Sequence, residues 1–65
     1  MFNTEKLKAL IKQRDVKQEE LAEAVGITPI YLSYVINGHK KPSFELVVKL
    51  ARYLNVYVDD LIVEE

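Results

Sequence analysis

Cysteine is missing from this 65-residue chain, so neither a disulfide nor a thiolate metal site can staple it. Histidine is almost missing. His39 stands alone, and one imidazole does not make a protein metal centre of the usual ligand count. No apolar run approaches the ~20 residues of a membrane span. The opening "MFNTEKLK" sets lysines and a glutamate where a secretory signal needs an apolar stretch. The expectation is a soluble, cytoplasmic protein with no cofactor. Positive charge is not in excess either. The formal net charge of −1 speaks, weakly, against a polyanionic partner. Its distribution matters more. The tail "DDLIVEE" holds four of the ten acids, so residues 1–58 set six acids against nine Lys and Arg, a net +3.

What is present fits a small folded domain. The hydrophobic fraction is 49%, ordinary for a globular chain and too high for a disordered one. Sixty-five residues make one domain, 1–65, which buries a smaller fraction of its surface than a larger protein and is only marginally stable. No linker, internal repeat or low-complexity stretch divides it. No run alternates with period two between turn signals, so no strand is expected. The fold class is all-α.

Five helices can be placed. Asn3 or Thr4 caps the first, whose stripe is Leu7, Leu10 and Ile11; Arg14-Asp15 ends it. Gln18 starts the second. Glu19 and Glu20 suit the positive end of its dipole, Leu21, Ala22 and Val25 line its inner face, and Gly26 stops it in a left-handed conformation. The third is announced by Thr28 as N-cap and Pro29 at the first helical position. Ile27 and Leu32 have the spacing of a hydrophobic staple. Leu32, Val35 and Ile36 continue inward, and Asn37-Gly38 ends the helix. Ser43 caps the fourth, with Leu46, Val47, Leu50, Ala51 and Leu54 on one face and Asn55 as its stop. Val58, Leu61 and Ile62 predict a short fifth helix.

The second and third helices, joined by a very short turn at Gly26, have the layout of a helix-turn-helix over about 18–37. If Leu32, Val35 and Ile36 face inward, then Pro29, Ile30, Ser33, Tyr34 and Asn37 face outward. That outward side is apolar where water would favour charge. It is followed at once by "GHKKP", the densest positive charge in the chain.

The segments "QEELAEAVGIT", "LSYVINGHKKPS", "LVVKLARYLNV" and "VDDLI" resemble the Cro/repressor-type helix-turn-helix proteins, also called the XRE or lambda-repressor-like family. The similarity runs from about Leu7 to Ile62. A bare helix-turn-helix pattern gives many false positives; this pattern followed by two more helices at matching spacing gives few. The resemblance implies a compact five-helix domain that binds duplex DNA with its third helix in the major groove. It places base contacts at Pro29, Ile30, Ser33 and Tyr34. It places phosphate contacts at Lys17, Gln18, Thr28, Tyr31, Asn37, His39, Lys40 and Lys41; Tyr31 can equally pack on the domain. Related repressors commonly dimerise through their C-terminal end, which here is rich in apolar side chains: Tyr53, Tyr57, Val58, Ile62 and Val63. The implied protein is a bacterial, phage or plasmid-type transcriptional regulator, a repressor acting as a homodimer on a palindromic operator.

The departures from the family pattern carry information. Lys17 stands where relatives often cap the second helix with Ser or Thr, which gives up a cap worth ~1 kcal/mol. A phosphate contact would offset that loss; a merely solvated lysine would not. Many relatives pair an arginine in the first helix with a glutamate in the third. Those places fall at Ile11 and Ile36, and exchanging a buried ion pair for apolar residues is often neutral or stabilising. No Arg, Lys, Gln or Asn occupies 29, 30, 33 or 34, so bidentate reading of guanine or adenine is closed to those positions. Thymine methyls can be met by Ile30 and Pro29, and hydroxyl contacts made by Ser33 and Tyr34. The same stripe suits a protein partner, as in an antitoxin-like or phage-encoded adaptor on the same fold, or is plain tolerated surface. Asp59-Asp60 has the look of a catalytic carboxylate pair, but first-turn acids favoured by the helix dipole account for it more simply. No nucleophile–base pair or metal set is present, so no enzymatic reaction is implied.

Overall fold

The computed structural model describes residues 1–63. It has four α-helices: α1 (Thr4–Gln13), α2 (Gln18–Val25), α3 (Pro29–Ile36) and α4 (Phe44–Leu54). The fifth helix expected from Val58, Leu61 and Ile62 is instead a single 3-10 turn, Val58–Leu61. Four residues are too few to nucleate an α-helix, and i→i+3 bonding suits so short a piece. The Asp60 carboxylate accepts from the Tyr57 N–H at 3.0 Å, which fixes the entry to the turn and gives that acid a structural task. Ile62 then leaves in an extended conformation and bridges antiparallel to Phe2.

That bridge ties the two ends of the described chain together. The Asn3 N–H donates to the Leu61 carbonyl at 2.8 Å, and the Val63 N–H to the Met1 carbonyl at 2.7 Å. Asn3 has a second role, since its Oδ1 accepts from the Lys6 N–H at 3.0 Å and caps α1. One residue both starts the first helix and anchors the end of the fold.

All four α-helices stop in the same way. Asp15, Gly26, Gly38 and Asn55 each take a positive φ, from 53° to 81°. Around each, two backbone N–H groups turn back into the helix. After α2, Gly26 donates to the Glu23 carbonyl (3.2 Å) and Ile27 to the Ala22 carbonyl (3.0 Å). Equivalent pairs follow α1 (Asp15 to Lys12, Val16 to Ile11), α3 (Gly38 to Val35, His39 to Tyr34) and α4 (Asn55 to Arg52, Val56 to Ala51). This six-to-one plus five-to-two pattern satisfies carbonyls that a helix end otherwise orphans. It also throws the next apolar residue, Val16, Ile27 or Val56, back against the core, where each packs half-buried.

The core is wholly apolar; no buried polar or charged side chain occurs among the described residues. Leu7, Leu21, Leu32, Leu50, Leu54 and Leu61 are fully enclosed and bring every element to one cluster. Ala22 is also fully buried, a small side chain where α2 packs on α3 and α4. Ile36 is buried in the same cluster and Ile11 packs half-buried against it, so both belong to the apolar core.

Candidate nucleic-acid interface

The interface begins with how α3 is held. Thr28 is extended (φ −77°, ψ 152°), and its Oγ1 accepts from the Tyr31 N–H at 3.1 Å. Pro29 follows at the first helical position, where a missing N–H costs nothing. Leu32, Val35 and Ile36 bury the inner face. The outer face is left to water: Ile30 is 68% and Tyr34 46% exposed. Pro29 is exposed beside them, and Ser33 is half-buried. The four positions expected to meet bases therefore do share one side of α3.

At the far end of α3 the chain folds back tightly. The Tyr34 carbonyl accepts from two successive N–H groups, His39 at 2.8 Å and Lys40 at 3.3 Å. The His39 ring stands edge-on to the Tyr34 ring, with centroids 6.3 Å apart. His39, Lys40 and Lys41 are exposed; the turn sets His39 against Tyr34, while Lys40 and Lys41 line a recess with Met1, Phe2, Phe44 and Ile62. Among the described residues the single ion pair joins Lys49 to Glu45 at 3.6 Å, so Lys40 and Lys41 make none there.

Asn37, at the end of the helix, is exposed and folds its side chain back along the helix surface. Its side-chain amide donates to the Ser33 carbonyl at 2.9 Å and to the Ser33 hydroxyl oxygen at 3.3 Å. Nothing in the sequence pattern announced this pairing beyond the i, i+4 spacing of the two residues.

The start of α2 faces solvent. Lys17, its N-cap, is extended and makes no side-chain cap bond, so the first N–H groups of the helix stay open to an outside acceptor. Gln18 is exposed next to it. Tyr31 differs from the other residues assigned to phosphate. It is half-buried against the core and lines a recess with Ile27, Leu46 and Lys49.

The apolar C-terminal residues divide into two sets. Val58 and Ile62 lie half-buried against the chain's own core. Tyr57 is 81%, Tyr53 44% and Val63 39% exposed and remain open to a neighbour. Among the described residues no three His, Asp or Glu side chains gather in a way that could hold a metal ion, and no helix is long and apolar enough to cross a membrane.

A helix-turn-helix family model matches residues 7–61, every element except the first turn of α1. The chain belongs to the helix-turn-helix family. Among curated proteins it is similar to a prophage transcriptional regulatory protein of Escherichia coli K12, 57% identical over 37 residues, which cover 57% of this chain and 56% of that protein. It is 37% identical over 60 residues to the ImmF control region 10 kDa protein of Bacillus phage phi105, covering 86% of this chain and 67% of that one. It is 36% identical over 63 residues to the cryptic phage CTXphi transcriptional repressor RstR of Vibrio cholerae, covering 95% of this chain and 55% of that one. The chain thus spans little more than half the length of two of these three relatives. No solved structure matches it significantly.

Proposed function

We propose that this helix-turn-helix protein binds double-stranded DNA in a sequence-specific way and regulates transcription, acting as a repressor and as a homodimer on a palindromic operator. One observation carries the reading: a capped, buried-backed α3 leaves Pro29, Ile30 and Tyr34 exposed, with His39 folded against Tyr34 and the exposed Lys40 and Lys41 directly after it in the chain. An α-helix fits the major groove, and cations at its flank fit the phosphates that border the groove. Phosphate partners are Lys17 and Gln18 at the open start of α2, the Thr28 hydroxyl, and His39, Lys40 and Lys41. The relatives whose names describe transcriptional regulation or repression support the same reading. Repression by occupying DNA needs nothing more than tight, selective binding.

With no bidentate reader on α3, thymine methyls become the apolar feature that Ile30 and Pro29 can distinguish in the groove. Selection of bound fragments from random duplex DNA, with the mass of the complex measured, tests the whole proposal. The expected product is a two-fold symmetric A·T-containing site bound by two chains. Replacing its thymines by uracil should weaken binding, and Ile30→Ala should remove that methyl dependence. If Ile30→Ala and Tyr34→Ala leave DNA affinity and its salt slope untouched but abolish binding of a protein partner, the α3 face is a protein-docking surface instead.

A further inference from the structure

The outward side of α3 offers few hydrogen-bonding groups, and one of them is not left to chance. Ser33 lies between Ile30 and Asn37 on that side. Its hydroxyl oxygen accepts from the Asn37 amide at 3.3 Å, and the same amide donates to the Ser33 carbonyl at 2.9 Å. A hydroxyl carries one proton and two lone pairs. Asn37 occupies one lone pair, while the Ser33 proton meets no acceptor among the described residues. The amide nitrogen, for its part, directs both of these bonds back into the helix.

We infer that Asn37 is a positioning residue that sets Ser33 as a hydrogen-bond donor, and that Ser33 spends its proton on the N7 acceptor of one purine in each half-site. N7 is an acceptor on the major-groove edge of both purines, and an unshared hydroxyl proton is the complement it needs. Ser33 then supplies a polar contact amid the apolar ones of Ile30 and Pro29. The inference rests on the DNA-binding reading given above and adds to it which polar group reads a base and what fixes its polarity.

The test uses the duplex recovered by selection, with each purine of a half-site replaced in turn by its 7-deaza analogue, which keeps the base pair and removes N7. The unaltered protein should lose about tenfold in affinity at one purine position, the size of a lost base contact. Ser33→Ala should bind the unmodified duplex about tenfold more weakly and become indifferent to the deaza substitution at that position. Ser33→Thr, which keeps a hydroxyl, should retain the sensitivity. Asn37→Asp replaces the donor by an acceptor, draws the Ser33 proton inward, and should abolish the deaza sensitivity. A helix-end role alone would predict a lower melting temperature for Asn37→Asp with an unchanged deaza profile, and that result overturns the inference. So does a Ser33→Ala protein with the profile of the unaltered one. Ser33→Ala leaves the helix end intact and alanine favours helix, so it gives an answer even where the Asn37 variant folds poorly. Selection that yields no preferred duplex removes the DNA-reading proposal itself and this inference with it, an outcome distinct from a preferred duplex with no Ser33-dependent purine.

Discussion

A left-handed residue ends each helix, and the four are not equally suited to the work. Gly26 and Gly38 reach φ of 78° and 81° without a Cβ. Asn55 and Asp15 do so with one, at 57° and 53°, and both belong to the small set of side chains that tolerate this region. Asp15 carries a further handicap. Its negative charge sits at the negative end of the α1 dipole. Asp15→Asn should therefore raise stability by about 0.5 kcal/mol, seen as a melting-point rise of roughly 2–4 °C for a chain of this size. Gly26→Ala should do the opposite. A Cβ there would meet no atom within 4 Å, so the loss of about 1 kcal/mol would come from backbone strain alone. The two glycines and Asn55 were legible in the sequence because each follows an apolar stripe. Asp15 was legible as a stop, but its left-handed conformation was hidden because aspartate more often starts a helix than closes one. Asp60 was legible as a first-turn acid, and its bond to the Tyr57 N–H shows the local reason.

Among the helices, three carry a side-chain cap and one does not. Asn3, Thr28 and Ser43 each accept from the N–H three residues on, at 3.0, 3.1 and 3.1 Å; residue type and spacing named Thr28 and Ser43 outright but left the first cap between Asn3 and Thr4. Thr28→Ala should cost ~1 kcal/mol and should also loosen the start of the helix that is proposed to enter the groove. Lys17 breaks the pattern at α2, and this exception separates two interests. Lys17→Ser should stabilise the free protein by ~1 kcal/mol through a new cap. If Lys17 meets a phosphate, the same variant should weaken DNA binding and reduce the slope of log affinity against log salt by about 0.9. A variant that melts higher and binds DNA unchanged would show that Lys17 is only solvated. The one element the sequence misjudged is the last. Val58, Leu61 and Ile62 have helical spacing, but the pull of Phe2 on Ile62 comes from residues sixty positions away, and no local pattern reports a pairing at that distance.

At the scale of the whole molecule, that distant pairing decides what the C-terminal apolar residues can do. Val58 and Ile62 pack half-buried on the chain's own core, while Tyr53, Tyr57 and Val63, with Met1 bonded to Val63, are the exposed apolar side chains at this end. A two-fold interface is self-complementary, so a residue near its axis meets its own copy. Tyr57, 81% exposed, carries little of the fold's stability, and Tyr57→Asp should melt within about 0.5 kcal/mol of the unaltered protein, as exposed substitutions generally do. Two aspartates brought together across a two-fold contact would repel. If copies of the chain meet through this face, as proposed, the variant should remain monomeric in sedimentation where the unaltered chain forms a dimer. On DNA the consequence follows from geometry. Two α3 helices must lie about 34 Å apart to read successive turns of one groove face, and a dimer contact fixes that distance before DNA is met. Tyr57→Asp should thus lose most of the advantage of a two-site operator over a single half-site, while half-site affinity stays as it was. If the variant and the unaltered chain show the same preference for the full operator, the contact between copies lies elsewhere, or DNA alone brings the two chains together.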